Sequence, residues 1–309
     1  IDLPDIHGQT PLHVAAVLGR GSVVNILLRA NAKVIAYDKT GCCVLHDICN
    51  RGIVGMLEII IPFSASVNVQ DNDGMTPMMH AVIGNHRECV RLLVWAMADL
   101  NIVDNNGYTA LHHAALTHDT SITQILTEAF ADVNALDKNG ETALHVSCRE
   151  GDVKNAKLLL AFGTDWRIRN WRGNFPIHIA AEEGQVEVAR LLISYEVEVN
   201  VLNYDQKTPL GLARLIPNHE MIQLFDESYI LQSEVDKNAE ATAASLLGVV
   251  LEKPPRDTST APLLDSLPDR FERPEWQTRL RHSSLVFEFA EYEEYAERIK
   301  DTDADSKMN

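Results

Sequence analysis

The densest group of reactive side chains in the sequence is Cys42, Cys43, His46 and Cys49, all of them types that bind zinc-class metals. Structural zinc asks for four ligands in a tetrahedron, often delivered by two separated pairs, and this run is one local cluster. A second group is His13, His46, His112, His145 and His178, which share one register. A catalytic histidine is ordinarily singular, so repetition at a fixed interval predicts a structural hydrogen bond. His80 and His113 stand one position later and are expected on the open side of the same helices, not as ligands. There is no Gly-x-Gly-x-x-Gly, P-loop, Gly-x-Ser-x-Gly or His-Glu-x-x-His stretch. Glu182 and Glu183 read as a solvated helix face. No nucleophile, base and oxyanion site assembles, so no catalytic residue, cofactor or metal is assigned.

The interval behind these residues sets the elements that carry them. Units begin at Asp5, Asp38, Asp71, Asp104, Asp137, Asn170 and Asn203, each 33 residues after the last. The fourth position is Gly in all but the seventh unit, which has Gln206. Gly after an Asp/Asn start reads as a turn that needs a positive φ. Then comes Thr10-Pro11-Leu12-His13, or variants such as Thr109-Ala110-Leu111-His112, Thr142-Ala143-Leu144-His145 and Phe175-Pro176-Ile177-His178. Thr suits a helix N-cap and Pro the first helical turn. Ala pairs such as Ala15-Ala16, Ala114-Ala115 and Ala180-Ala181 let neighbouring helices approach. A second helix follows, with apolar residues at helical spacing: Val23, Val24, Leu27 and Leu28, or Val186, Val188, Leu191 and Leu192. An extended piece such as Ala131-Asp132-Val133-Asn134 closes the unit and leads into a hairpin-like turn.

This pattern resembles the ankyrin repeat, over Asp5 to about Phe225. The resemblance implies an all-α repeat solenoid of helix-turn-helix units with hairpin-like turns. One unit cannot bury its apolar face alone, and stacking builds a continuous core. It also implies a concave groove lined by turn tips and first helices. In this register Cys43 takes the Thr position and Cys49 an Ala position, where small buried residues are expected. The third unit has Met78-Met79 in place of Leu-His. Pro217 should shorten the seventh unit's first helix. The first unit looks internal, with Val14, Val17 and Leu18, and the chain starts at Ile1, so an upstream repeat is expected.

Function is therefore expected in the groove, as a non-catalytic scaffold or adaptor that binds other proteins or peptides. The alternative is a regulatory cytoplasmic fragment of a larger receptor, channel or enzyme. Tyr108, Trp171 and Arg172 are of types enriched at binding hot spots. With Asn139, Glu141, Trp166, Arg169 and Asn174 they form the expected protein-binding set. Trp166, Arg167, Arg169, Trp171 and Arg172 read as one basic, aromatic cluster suited to an acidic or aromatic peptide. Val17, Leu18, Ile83 and Leu116 could add an apolar patch nearer the N-terminus. The resemblance also implies asparagine hydroxylation at Asn101, Asn134 and Asn200, each preceded by a Leu eight residues earlier.

A net charge of −17 argues against nucleic acid as the partner, since that needs clustered positive charge. No apolar run is long enough for a bilayer, so no direct membrane insertion is expected. Five cysteines without a paired framework suit a reducing compartment, hence a cytoplasmic site, with nuclear or cytoskeletal association open. The repeat domain is placed at 1–227, a capping helix at 228–252, and an acidic tail with a docking helix at 253–309. Phe271, Trp276, Phe287 and Tyr292 make that tail a candidate for intramolecular docking.

Overall fold

Each unit opens with a side chain that folds its own backbone. Asp137 Oδ1 accepts the N–H groups of Asn139 and Glu141, both at 2.7 Å, and the Gly140 N–H donates to the Asp137 carbonyl at 3.0 Å. Asp71 and Asn170 do the same for their own turns. Gly140 sits at φ +72°, in the left-handed region that a side chain disfavours. Consecutive turns are laced together: Trp171 N–H donates to the Asn139 carbonyl at 2.9 Å, and Tyr204 N–H to that of Arg172 at 3.2 Å.

The computed structural model describes residues 1–64, 66–216 and 218–228. After each turn come two short helices. The inner ones are α1 (Pro11–Val17), α3 (Val44–Asn50), α5 (Pro77–Ile83), α7 (Ala110–Leu116), α9 (Ala143–Glu150), α11 (Pro176–Glu182) and α13 (Pro209–Ala213). The outer ones are α2 (Gly21–Arg29), α4 (Val54–Ile60), α6 (Arg87–Trp95), α8 (Thr120–Glu128), α10 (Val153–Ala161), α12 (Val186–Ser194) and α14, over residues 219–228. The inner helices α1, α3, α5, α7, α9 and α11 each pack on their own outer partner, consecutive inner helices through α13 pack on one another, and no strand forms among the described residues. α13 is shorter than the other inner helices, as expected, although Pro217 itself lies outside the described residues. So does the proposed tail from residue 229 onward.

The core runs along the stack. Ile60, Leu93, Leu126, Leu159 and Leu192 occupy one repeat position and are all fully buried. Each contributes about 2 kcal/mol by leaving water. The small residues Ala16, Cys49, Ala115, Cys148 and Ala181 fill another position with no exposure, so the inner helices can touch. The first unit departs from expectation at Val23, which remains exposed. α2 packs on α1 and α4, which covers Val24 and Leu28 but not Val23.

Four of the five repeated histidines tie units together; His13 makes only the local bond to Thr10. His112 Nδ1 accepts from the Thr109 N–H at 3.2 Å, with the Thr109 hydroxyl 2.9 Å away. Its Nε2 donates to the Glu141 carbonyl of the next unit at 2.9 Å. His46 reaches Met75, His145 reaches Asn174 and His178 reaches Lys207 in the same way. Met79 substitutes only the local half: its sulfur lies 3.4 Å from the Thr76 N–H. Cys43 supplies a thiol where others have the Thr hydroxyl, 3.3 Å from His46 Nδ1. That placement matches the structural reading of Cys43.

Candidate functional site

The turn at 137–141 and α9, with the turn at 170–174 and α11, enclose a polar depression of about 530 Å³. Asn139, Glu141, Arg149, Trp171, Arg172 and Glu182 line it. Its floor is an ion pair in which Glu141 is buried and Arg149 partly so. Arg149 Nη2 donates to both oxygens of Glu141 at 2.6 Å, and Asn170 Nδ2 donates to Glu141 Oε1 at 3.0 Å. Burial opposes the charge on Glu141, but the hydrogen bonds from Arg149 and Asn170 win and hold its carboxyl below the usual range. Burial likewise works against the Arg149 cation, and Glu141 more than offsets it.

The wall is Trp171, 72% exposed. Its indole lies against the backbone of the preceding turn, where a Cβ on Gly140 would come within 2.7 Å of Trp171 Cδ1. The glycine thus seats the ring, and the Trp171 backbone bond to Asn139 fixes its base. Arg172 and Glu182 face each other at 3.8 Å, both well exposed. Such a pair contributes little to stability and stays available to a partner.

Not every expected site residue joins this group. Asn139, Glu141, Trp171 and Arg172 come together, while Trp166 and Arg169 line a separate depression of about 270 Å³ with Phe175 and Glu198. The cluster that runs continuously in sequence is therefore divided in space. Trp166 is partly buried against the core with the Arg167 guanidinium 4.4 Å above its ring, and Arg169 covers the Phe175 ring at 4.6 Å. Tyr108 stacks on His112 and abuts His113. Asn174 is buried, with its amide 3.4 Å from Glu182 and its oxygen accepting from Asn203 Nδ2 at 2.7 Å. Arg149 was missed in the sequence; its place one turn beyond His145 on the inner helix was the available signal.

The closing-segment asparagines have a structural task. Asn101 Oδ1 accepts the Asp132 N–H at 2.9 Å and Asn134 Oδ1 that of Asp165 at 2.8 Å. Asn68 does the same for Asp99 at 2.9 Å, although the sequence pattern did not select it. The residue equivalent to these partners for Asn200 lies outside the described residues.

A second polar row runs through the N-terminal half. His80 Nε2 stands 2.8 Å from Asp71 Oδ2 and His113 Nε2 3.0 Å from Asp104 Oδ2. Burial, outweighing the bond to Asp104, lowers the His113 pKa. Cys42 is half-buried, and burial pushes its thiol up to about 11; the other four cysteines are buried and none is in a disulfide.

A family model described as ankyrin repeats (3 copies) matches residues 32–104, 92–170 and 158–240, and an ankyrin-repeat model matches residues 7–39. The chain belongs to the ankyrin-repeat family. Its ankyrin repeats are 36% identical over 92 residues to alpha-latrotoxin-Lg1a of Latrodectus geometricus, covering 28% of this chain and 6% of that protein. They are 34% identical over 88 residues to human BCL-6 corepressor-like protein 1, covering 28% and 5%. The chicken (Gallus gallus) nuclear factor NF-kappa-B p105 subunit is 31% identical over 91 residues, covering 28% and 9%. The match thus spans less than a tenth of each relative's length. Among solved structures, the ankyrin repeat domain of Bcl-3 superimposes with a TM-score of 0.65 at 25% identity, covering 71% of this chain and 99% of that one. The human ASB11 ankyrin repeat domain gives 0.62 at 25% identity, covering 71% and 98%. Ankyrin repeats generally mediate protein–protein interaction and are typically non-catalytic. No helix among the described residues is long and apolar enough to cross a membrane.

Proposed function

We propose that this chain is a non-catalytic scaffold or adaptor that holds a partner protein along the face made by its turns and inner helices, with Trp171 and Arg172 as anchors. The observation that carries the reading is Trp171: a large indole, mostly exposed, yet fixed by its own backbone bond and by Gly140 beneath it. A rigid, amphipathic ring offers contact area at little entropic cost, as binding anchors do.

The face changes character along the stack. One inner-helix position reads Val17, Asn50, Ile83 and Leu116 in the first four units, then Arg149 and Glu182 in the next two. Ile83 and Leu116 are exposed apolar groups, and Leu18 beside Val17 is 63% exposed. A partner segment that runs the length of the face would thus be apolar at one end and charged at the other. The net charge of −17 favours basic or neutral partners over nucleic acid. Free cysteines suit a cytoplasmic setting.

Cross-linking mass spectrometry on a captured complex tests this reading. Cross-links should fall on the turn at 170–174 and on inner helices; links confined to the outer helices would overturn it. The hydroxylation reading of Asn101, Asn134 and Asn200 is tested separately by intact mass after incubation with an asparaginyl hydroxylase, and no added oxygen would remove it.

A further inference from the structure

We propose that Cys42, Asp71 and His80 form a binding site for a zinc-class divalent cation that bridges the second and third repeats. The three residues come from three places: the turn before α3, the turn before α5, and α5 itself. One ligand atom from each lies within 4.8 Å of the others. Cys42 Sγ is 3.7 Å from Asp71 Oδ2, and His80 Nε2 is 2.8 Å from the same oxygen.

These separations are close to what the metal requires. Zinc bonds of about 2.3 Å to sulfur and about 2.0 Å to nitrogen or oxygen imply tetrahedral ligand–ligand edges of roughly 3.3–3.6 Å. The two edges to Asp71 need adjustments of about half an ångström or less, and the Cys42–His80 edge, within 4.8 Å, has to close by at most about 1.3 Å. The donors are borderline to soft, which suits zinc rather than calcium or magnesium.

The site is also braced. Asp71 Oδ1 is committed to the N–H groups of Asp73 and Met75 at 2.9 and 2.8 Å, which leaves Oδ2 facing the thiol and the imidazole. The His80 ring is held edge-to-face by His46 at 5.4 Å between centroids, and His46 is itself bonded to Val69 and Met75 carbonyls. Cys42 is half-buried and the His80 side chain is 17% exposed, so an ion can enter and water can take the fourth position.

The next repeat supplies an internal comparison. Asp104 and His113 repeat the Asp–His pair, but Met75 stands where Cys42 would be. The pair alone is thus a structural device of this fold, and the thiol is the addition that makes a metal site at one junction. On binding, the Cys42 thiol proton leaves to solvent. His80 binds through the Nε2 lone pair, so in the bound form its ring proton sits on Nδ1 and any other ring proton leaves to solvent. No electron changes hands.

Cobalt(II) is the first probe, because a thiolate ligand gives it a near-ultraviolet charge-transfer band. The full chain should bind one equivalent with that band. Cys42→Ser should abolish the band, and His80→Ala should weaken binding about tenfold or more. His113→Ala, at the equivalent place one repeat on, should leave the band intact. Circular dichroism confirms that each variant is folded. A second readout needs no variant: one equivalent of zinc should slow alkylation of Cys42, as followed by peptide mass spectrometry. No charge-transfer band at saturating cobalt, a band retained in Cys42→Ser, or unchanged Cys42 alkylation would each overturn the proposal.

Discussion

His145 Nε2 donates across 3.2 Å to the backbone carbonyl of Asn174, which lies 29 residues later in the next repeat. The same ring accepts at Nδ1 from the Thr142 N–H at 3.2 Å. One neutral imidazole therefore closes the start of its own helix and ties it to the following turn.

Replacing His145 by Leu removes both halves of that link. The Thr142 N–H would lose its partner in a buried setting, and the Asn174 carbonyl would keep only the Asn170 N–H, at a cost of about 2 kcal/mol. His145→Met should cost less, because a thioether can still sit over the N–H as Met79 does for Thr76. Urea unfolding of the two variants checks the order; equal losses would contradict it.

Acid should loosen the stack well before the carboxylates titrate. Burial lowers the pKa of His145 and of His178 to about 4, from an ordinary 6.5. Below about pH 6.5 the unfolded chain takes up protons that the folded chain refuses, so stability falls with pH from about 6.5 to 4. The ceiling is on the order of 3 kcal/mol for each of the two rings. Burial shifts His46 and His112 the same way. Further down, the lowered pKa of Glu141 adds in the same direction, since its charge is favoured only in the folded state. Thermal midpoints measured between about pH 7.5 and 4.5 should decline steadily through the histidine window. A flat profile to pH 5 would contradict the neutral-histidine account.

Gly140 and Gly163 both sit at positive φ, at 72° and 85°, but in different surroundings. A Cβ on Gly140 meets Trp171 at 2.7 Å, whereas one on Gly163 meets nothing within 4 Å. Both Ala variants should lose about 1 kcal/mol from backbone strain. Only Gly140→Ala should also shift the tryptophan emission, because it must displace the indole. Matching spectra for the two variants would mean that the glycine does not seat the ring.

Much of the fold was legible because each unit repeats its own instructions. Asp137, Gly140, Thr142 and His145 each specify a local bond, and the 33-residue interval places the next copy. The site was legible only in part. Trp166 and Trp171 are five residues apart in sequence, but the turn between them sends one toward the core and leaves the other exposed. Glu141 belongs to the protein-binding set expected from the sequence, yet it is 4% exposed. It is buried because Arg149 and Asn170, from eight and 29 residues away, supply its partners. The Cys42–Asp71–His80 triad was hidden for the same reason, as the closer cysteines in sequence point into the core.

The ion pair beneath the depression is a test of that partnership. Glu141→Ala would leave Arg149 half-buried without its carboxylate and Asn170 without an acceptor. With Arg149 a third exposed to solvent, losing these charged hydrogen bonds should cost about 2 kcal/mol. Arg172→Ala breaks only an exposed pair, and should change stability by less than about 0.5 kcal/mol. Similar urea midpoints for the two variants would show that the floor is not under load.

Trp171 and Arg172 are the proposed anchors of a partner protein. Affinity capture followed by quantitative mass spectrometry, with the intact chain beside the double variant Trp171→Ala/Arg172→Ala, tests that role most directly once circular dichroism shows both folded. The intact chain should retain a specific set of proteins that the variant loses by about tenfold or more, as expected when two anchors are removed. An identical set, retained equally by both, would contradict it and move the binding surface elsewhere on the chain.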